Sequence, residues 1–255
     1  MNHLAPGLAR LTGVVFLGSA LVLAADPPPA PAAAPGPIRI VVVTGGHDYE
    51  TNQFQKLLSD IPQTAVVFVA HPTPQNWLKA DSARSWDVLV LYDLWQDITD
   101  EEKGDLVARL KEGKGLVALH HSLANYQAWP EYEHILGGRY NLQKRTVDNR
   151  EHPASTYQHD VDFHVKVVNP QHPVTQGVAD FDIRDETYGL FDVGPQAHVL
   201  LSTEEPTNGR SIAWARNYEA ARVVYLQLGH DHQAYDNPNY RRLAANAIRW
   251  TAKRD

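Results

Sequence analysis

Four short apolar runs constrain this chain more than any other feature: IRIVVV (38–43), AVVFVA (65–70), DVLVLYD (87–93) and GLVAL (115–119). Each is continuous rather than alternating, which marks a strand buried on both faces. Between the first two, Phe54, Leu57, Leu58 and Ile61 recur at i, i+3, i+4 and i+7, the stripe of an amphipathic helix. After the third, Thr99 and Glu102 have the spacing of a capping box; Leu106, Val107 and Leu110 give that helix a core face, and KEGKG ends it. Strands and helices alternating through short connections predict an α/β fold: a mainly parallel sheet with helices on both faces and right-handed crossovers. A ligand site in such a sheet lies beyond the carboxyl ends of its strands. His47, Asp93, His120 and His121 all follow strand ends, so they are predicted on that edge.

Later segments are less regular. WPEYEHILGG (129–138) reads as a helix closed by glycine. Residues 139–160 are polar without clear periodicity and predict a long ordered loop or flap. VDFHVKVV (161–168) alternates as a half-exposed strand. HVLLSTE, SIAWAR and RVVYLQLGHD supply three more, the last running to His230 and Asp231. A final helix starts at Asn237 with Pro238 in its first turn, and Tyr240, Leu243, Ala244, Ala247 and Ile248 form its core stripe.

The first residues are of another kind. Arg10 precedes the apolar stretch 11–23, which is short for a bilayer span and ends at Ala24 and Ala25. That layout predicts a signal peptide over 1–25, cleaved after Ala24 or Ala25, with an uncleaved anchor as the alternative. DPPPAPAAAPGP (26–37) is a semi-rigid spacer, and the folded domain is placed at 38–253. The expected protein is therefore exported, periplasmic or extracellular, without stable membrane insertion after cleavage. It has no cysteine, which closes every thiol mechanism and every disulfide. A net charge of −7 with no Lys/Arg cluster argues against a nucleic-acid partner.

Taken in order, VVVTGGHDYE, KEGKGLVALHHS, EHILGGRY, HPVTQG, DETYG, ARVVYLQLGHD and NAIRW resemble the ThuA-like family, named for trehalose utilisation, across about residues 38–252. The resemblance implies a class I glutamine amidotransferase-like (flavodoxin-like) three-layer architecture. It places His120 at the strand-to-helix elbow where an amidotransferase carries its nucleophilic cysteine, and His230 where that fold carries its catalytic histidine. Without cysteine the chemistry must differ. Relatives often have serine after the elbow histidine; here His121 stands in that place.

The candidate catalytic residues are His120, His230 and Glu186. His47, His121, Asp93, Trp95 and Tyr188 are candidates for substrate binding. His47, His120 and His230 are candidate ligands for a divalent metal such as zinc, although no HExxH-type spacing marks a metal site. Each has a structural alternative: a strand-end histidine can simply bond backbone, and Glu186 can pair with Arg184. His47 follows two glycines that allow a ligand close to the backbone, but no nucleotide-type glycine pattern is present. Asp231 is read as orienting a neighbouring histidine.

The family context points to sugar or glycoside substrates, in particular 3-keto-glycosides. Their C2 hydrogen is acidified by the ketone, so elimination or hydrolysis needs a histidine base and an electrophile on the C3 oxygen, either a histidinium or a divalent metal. The alternative is a non-catalytic carbohydrate-binding or accessory module. Catalysis requires His120, His230 and Glu186 to converge on one pocket; a binding module does not.

Overall fold

The computed structural model describes residues 1–3 and 36–255. The predicted signal peptide and spacer lie outside the described residues, except for their first three and last two positions. In chain order the elements are β1 (Ile38–Gly45), α1 (Thr51–Ser59), β2 (Thr64–Ala70), α2 (Gln75–Leu78), α3 (Ala80–Ala83), β3 (Val88–Asp93), α4 (Asp100–Lys111) and β4 (Gly115–Leu119). A 3₁₀ turn (His120–Ala124) leads to α5 (Pro130–Leu136), β5 (Gly138–Arg139), β6 (Arg145–Val147), β7 (Arg150–His152), β8 (Thr156–Val167) and β9 (Phe181–Gly189). The chain ends with β10 (Asp192–Val193), β11 (His198–Ser202), β12 (Ser211–Tyr218), β13 (Ala221–Leu226), α6 (His232–Tyr235) and α7 (Pro238–Thr251). No helix among the described residues is long and apolar enough to cross a membrane.

The main sheet has the order β2-β1-β3-β4-β13-β12-β11-β8-β9. Strands β2 to β13 in that order are parallel, as the apolar runs predict. The remaining pairs are antiparallel. Alternate residues of the parallel strands feed two cores. Val88, Val90 and Tyr92 pack with α1 and α7, while Leu89 and Leu91 pack with α4 and α5. This follows from the two-residue period of a strand and produces the three-layer architecture. The capping box at Thr99 and Glu102 forms, and Gly137 closes α5 at φ 76°.

Two expectations change, and one strand is added to those expected. The segment 139–160 is not one loop: it carries β5, the β6–β7 hairpin and the start of β8. Asp148 and Asn149 turn that hairpin with φ 49° and 60°, the left-handed conformation that Asp and Asn tolerate. The stretch 181–189 forms β9, although its charged residues hide the alternation of Phe181, Ile183 and Asp185. β13 stops at Leu226, so His230 sits on the loop that follows it rather than on the strand.

Topologically β9 is the far end of the sheet, yet it reaches the end of β4. The β8–β9 ribbon has a register break between Gln158 and Val161, with Asp160 at φ 59°. A bulge of this kind bends and twists a ribbon, and here it accompanies the return of Glu186 to the parallel strands' carboxyl edge.

Candidate active site

His47, Asp93, His120 and His230 lie at the carboxyl ends of β1, β3, β4 and β13, four strands of the parallel array. His120 takes φ 49°, so the chain makes a sharp, strained elbow there. Its ring is fully buried, and Tyr225 Oη donates to its carbonyl at 3.0 Å. Nδ1 lies 2.6 Å from the carbonyl of Gln227. A carbonyl only accepts, so Nδ1 carries a proton and Nε2 faces the other way.

Nε2 of His120 lies 2.9 Å from Glu186 Oε2, 2.9 Å from Tyr188 Oη and 3.2 Å from His230 Nδ1. His230 Nδ1 is 3.4 Å from the same Glu186 oxygen. The convergence that catalysis requires is therefore present. Carboxylate oxygen and imidazole lone pairs crowd one small space with the Tyr188 hydroxyl as the nearby neutral donor. A shared proton or a metal ion among them would relieve that crowding. The donor set fits a metal. The three ligand atoms lie within 4.8 Å of one another, and ligands about 2.0–2.1 Å from a tetrahedral zinc stand roughly 3.3 Å apart. The Gln227 carbonyl fixes the His120 tautomer as second-layer partners of metal histidines do. Glu186, rather than His47, completes this trio.

Burial alone would raise the Glu186 carboxyl, but hydrogen bonds and charge from His120 and His230 outweigh it and hold it well below the usual carboxylate range. The hydrogen bond that His230 donates to Glu186 raises it above the ordinary imidazole value, against its partial burial. Arg184 pairs with Asp160 and Asp162, leaving Glu186 to the histidines.

The frame behind this trio is Asp185. Its buried carboxylate accepts from the backbone N–H groups of Gly229 (2.7 Å), His230 (3.0 Å) and Glu186 (2.9 Å). One side chain thus fixes the backbone of both Glu186 and His230. From the other side Tyr92 Oη donates to the Gly229 carbonyl at 2.8 Å, and Tyr235 Oη to the His230 carbonyl at 3.0 Å. Asp231 instead caps α6 by accepting from Gln233 N, so it does not orient His230.

A cavity of about 240 Å³ opens beside the trio, lined by His47, His121, His159, Glu186 and Tyr188 on its polar side. Its position one residue past the strand end predicts a loosely placed His121 at the rim. The residue is instead 3% exposed, stacked on His47 at 4.6 Å, with Tyr92 edge-on at 4.5 Å. Neither ring nitrogen has a partner. Burial, then the neighbouring His120 and His47, pushes its pKa well down, so it is a neutral imidazole. The strand end likewise predicts that His120 reaches into the pocket; it lies beneath the floor, Glu186 is the member of the trio that lines the cavity, and His230, with 22% of its side chain exposed, stands beside it.

Asp93 and Trp95 do not line this cavity. Asp93 binds His71 Nε2 and Asn125 Nδ2 at 2.8 and 2.7 Å, and Trp95 stacks on His71 at 4.5 Å. They tie the loops after β2, β3 and β4 together. Gly46 belongs to the same junction: at φ 77°, a Cβ there would collide with the Leu94 carbonyl.

The sequence marks neither His159 nor Asp185 as a site residue. His159 Nδ1 is 3.3 Å from Glu186 Oε1, and its ring is 4.7 Å from that of His230. The FDIRD alternation is the one signal that could have put Asp185 and Glu186 on a strand.

Fold and site define a class: a three-layer α/β domain of glutamine amidotransferase-like fold in which two histidines and a glutamate meet at the carboxyl edge of the parallel strands. The chain belongs to the ThuA family, described as trehalose utilisation, whose profile matches residues 39–251. A ThuA-like protein of Parabacteroides merdae superposes with TM-score 0.71 at 18% identity, covering 85% of this chain and 90% of that one. One from Bacteroides uniformis gives 0.65 at 21%, covering 88% and 94%. A protein of Thermoplasma acidophilum, described as part of a GMP synthase, gives 0.50 at 11%, covering 86% and 96%. These likenesses show the fold. Comparison with curated proteins gave no match. Family membership supports a carbohydrate-related role in general.

Proposed function

We propose that this protein acts on oxidised, 3-keto glycosides or disaccharides by acid–base elimination, with net hydrolysis when water adds afterwards. The observation that carries this reading is the meeting of His120, Glu186 and His230 within 2.9–3.4 Å beside a cavity. No thiol is available, and a pair of imidazoles with one carboxylate suits proton transfer at carbon next to a ketone.

His230 takes the C2 proton, and Glu186 stabilises the imidazolium that forms. The electron pair passes into the enolate of the C3 ketone. The bond from C1 to the glycosidic oxygen then breaks, and that oxygen leaves with the proton returned by the imidazolium. Addition of water, OH at C1 and H at C2, gives the free 3-keto sugar. Neutral His121 hydrogen-bonds the substrate from the cavity side. A divalent ion such as zinc, held by His120, Glu186 and His230, would polarise the C3 oxygen, leaving His159 and His47 as the imidazoles free to take the proton. The same reading takes the protein to be exported, on the sequence of residues 1–25 alone.

The test combines elemental analysis of purified protein with turnover assays on 3-keto-disaccharides and their unoxidised parents. Turnover confined to the oxidised substrates is expected. Equal turnover of the parents would replace this chemistry with ordinary glycoside hydrolysis, and no turnover of either would leave the binding-module reading.

A further inference from the structure

The cavity beside the trio is chemically divided, and the division bears on what the second half of the substrate is. The buried His121, Glu186 and Tyr188 line it together with the exposed His47 and His159, and Leu94, Ala124, Tyr140, Leu142 and Tyr157 supply its remaining, apolar wall. Tyr157 and Leu142 are 62% and 43% exposed, among the few large apolar side chains open to solvent in the described residues. Tyr157 is further arranged as a surface: its ring stands edge-on to His159 at 5.3 Å, and its cross-strand partner is Tyr188. The hydroxyl of Tyr140 already donates to the Ser155 carbonyl.

We infer that the mouth of this cavity is a specificity site for a flat, apolar aglycone, so that the preferred substrates are aryl glycosides rather than disaccharides. The inference rests on the 3-keto reading above for the reacting ring and adds the nature of the leaving half. Two observations support it. A cavity of about 240 Å³ lies below the 300–1,000 Å³ range of sites that enclose a drug-sized ligand, so it houses one ring and leaves the second at the mouth. A second sugar there would need partners for several hydroxyls, yet Glu186 is the one carboxylate of the lining, no amide, arginine or lysine lines it, and the exposed polar groups are the imidazoles of His47 and His159 alone. An aromatic aglycone instead covers Leu142 and stacks on Tyr157, removing exposed apolar surface from water.

The experiment is calorimetric binding of three probes to the full chain: methyl 3-keto-glucoside, phenyl 3-keto-glucoside of the same anomeric configuration, and a 3-keto-disaccharide. Tyr157→Ser and Leu142→Ser are compared with the wild type; both side chains are exposed, and thermal melts verify folding. The expected wild-type preference for phenyl over methyl is about tenfold or more, falling towards unity in Tyr157→Ser and by a smaller factor in Leu142→Ser. If methyl and phenyl glucosides bind equally and the disaccharide binds more tightly, the apolar-aglycone inference is overturned while the 3-keto reading stands. If none of the probes binds, the 3-keto reading falls and takes this inference with it. Self-association that Leu142→Ser abolishes, with the phenyl-to-methyl ratio unchanged, would assign the patch to a second copy of the chain instead.

Discussion

Replacing Asp185 by Asn removes one oxygen from the junction that fixes Glu186 and His230. In the wild type Oδ1 accepts from Glu186 N and His230 N, and Oδ2 accepts from Gly229 N. Asn keeps one oxygen and turns an NH₂ group towards at least one of those N–H groups. A buried donor left unsatisfied costs about 1–3 kcal/mol, and loss of charge weakens the hydrogen bonds that remain. Burial of the carboxylate raises its pKa, so part of the cost is offset when the charge goes. A net destabilisation of about 2–3 kcal/mol follows, which for a domain of this size is about 5–10 °C in Tm. The effect on the site should exceed what lost stability explains. With the 229–230 backbone released, His230 drifts from Glu186, and turnover falls about 10²-fold well below the melting temperature while KM changes little. Thermal melts, kinetics and the side-chain nitrogen shifts of His230 are measured on the same sample. An Asp185→Asn protein that melts lower but keeps wild-type turnover and His230 shifts would refute the positioning role, leaving Asp185 a purely structural residue.

Three further outcomes follow from the geometry. His121→Phe removes two buried, unpartnered nitrogens; it should raise Tm by several degrees while weakening substrate binding, and a lower Tm measured by calorimetry would mean the imidazole has partners the structure does not reveal. His120→Ala should lower turnover by about 10²-fold or more, and because its ring is fully buried against Gln227 and Tyr188 it should also lower Tm, both read in one series of melts and assays. For pH, His230 is raised, so the stability it draws from Glu186 is full below the unfolded value of about 6.5 and is lost as pH rises through the folded value; Glu186 is depressed, so its share is full above about 4.5 and is lost only in strong acid. The Tm gap between wild type and Glu186→Gln should therefore be widest between about pH 4.5 and 6.5 and should narrow on the alkaline side, as melts across a pH series will show.

Much of this architecture was legible because burial on two faces leaves an unmistakable pattern. The runs at 38, 65, 87 and 115 are strands, and the predicted core stripe of α7 is buried at each named position. His120 and His230 stand out as residues that interrupt or follow such runs. The partners that define the site are harder to find. Glu186 is named by family likeness, but its strand is hidden, because Asp182, Arg184, Asp185 and Glu186 make β9 look like a polar loop; two of these charges, Asp185 and Glu186, are buried for the site's own purposes. His121 illustrates the opposite limit. Adjacent residues at a strand end look equivalent in sequence, and only the φ 49° elbow at His120 sends one ring below the floor and the other under His47. Asp93 and Trp95 lie on the edge that the sequence predicts, yet edge position alone does not distinguish a cavity wall from a loop brace held by His71.

The central claim is proton abstraction from C2 of a 3-keto sugar at the His120–Glu186–His230 site, and running the reaction in deuterium oxide tests it most directly. The account predicts that wild-type protein yields a free 3-keto sugar with one deuterium at C2 per turnover, visible by proton NMR. Glu186→Gln and His230→Gln should lose both product formation and enzyme-dependent exchange at C2. Product that retains its original C2 hydrogen would contradict the account, because the glycosidic bond would then have broken without the step this site is proposed to perform.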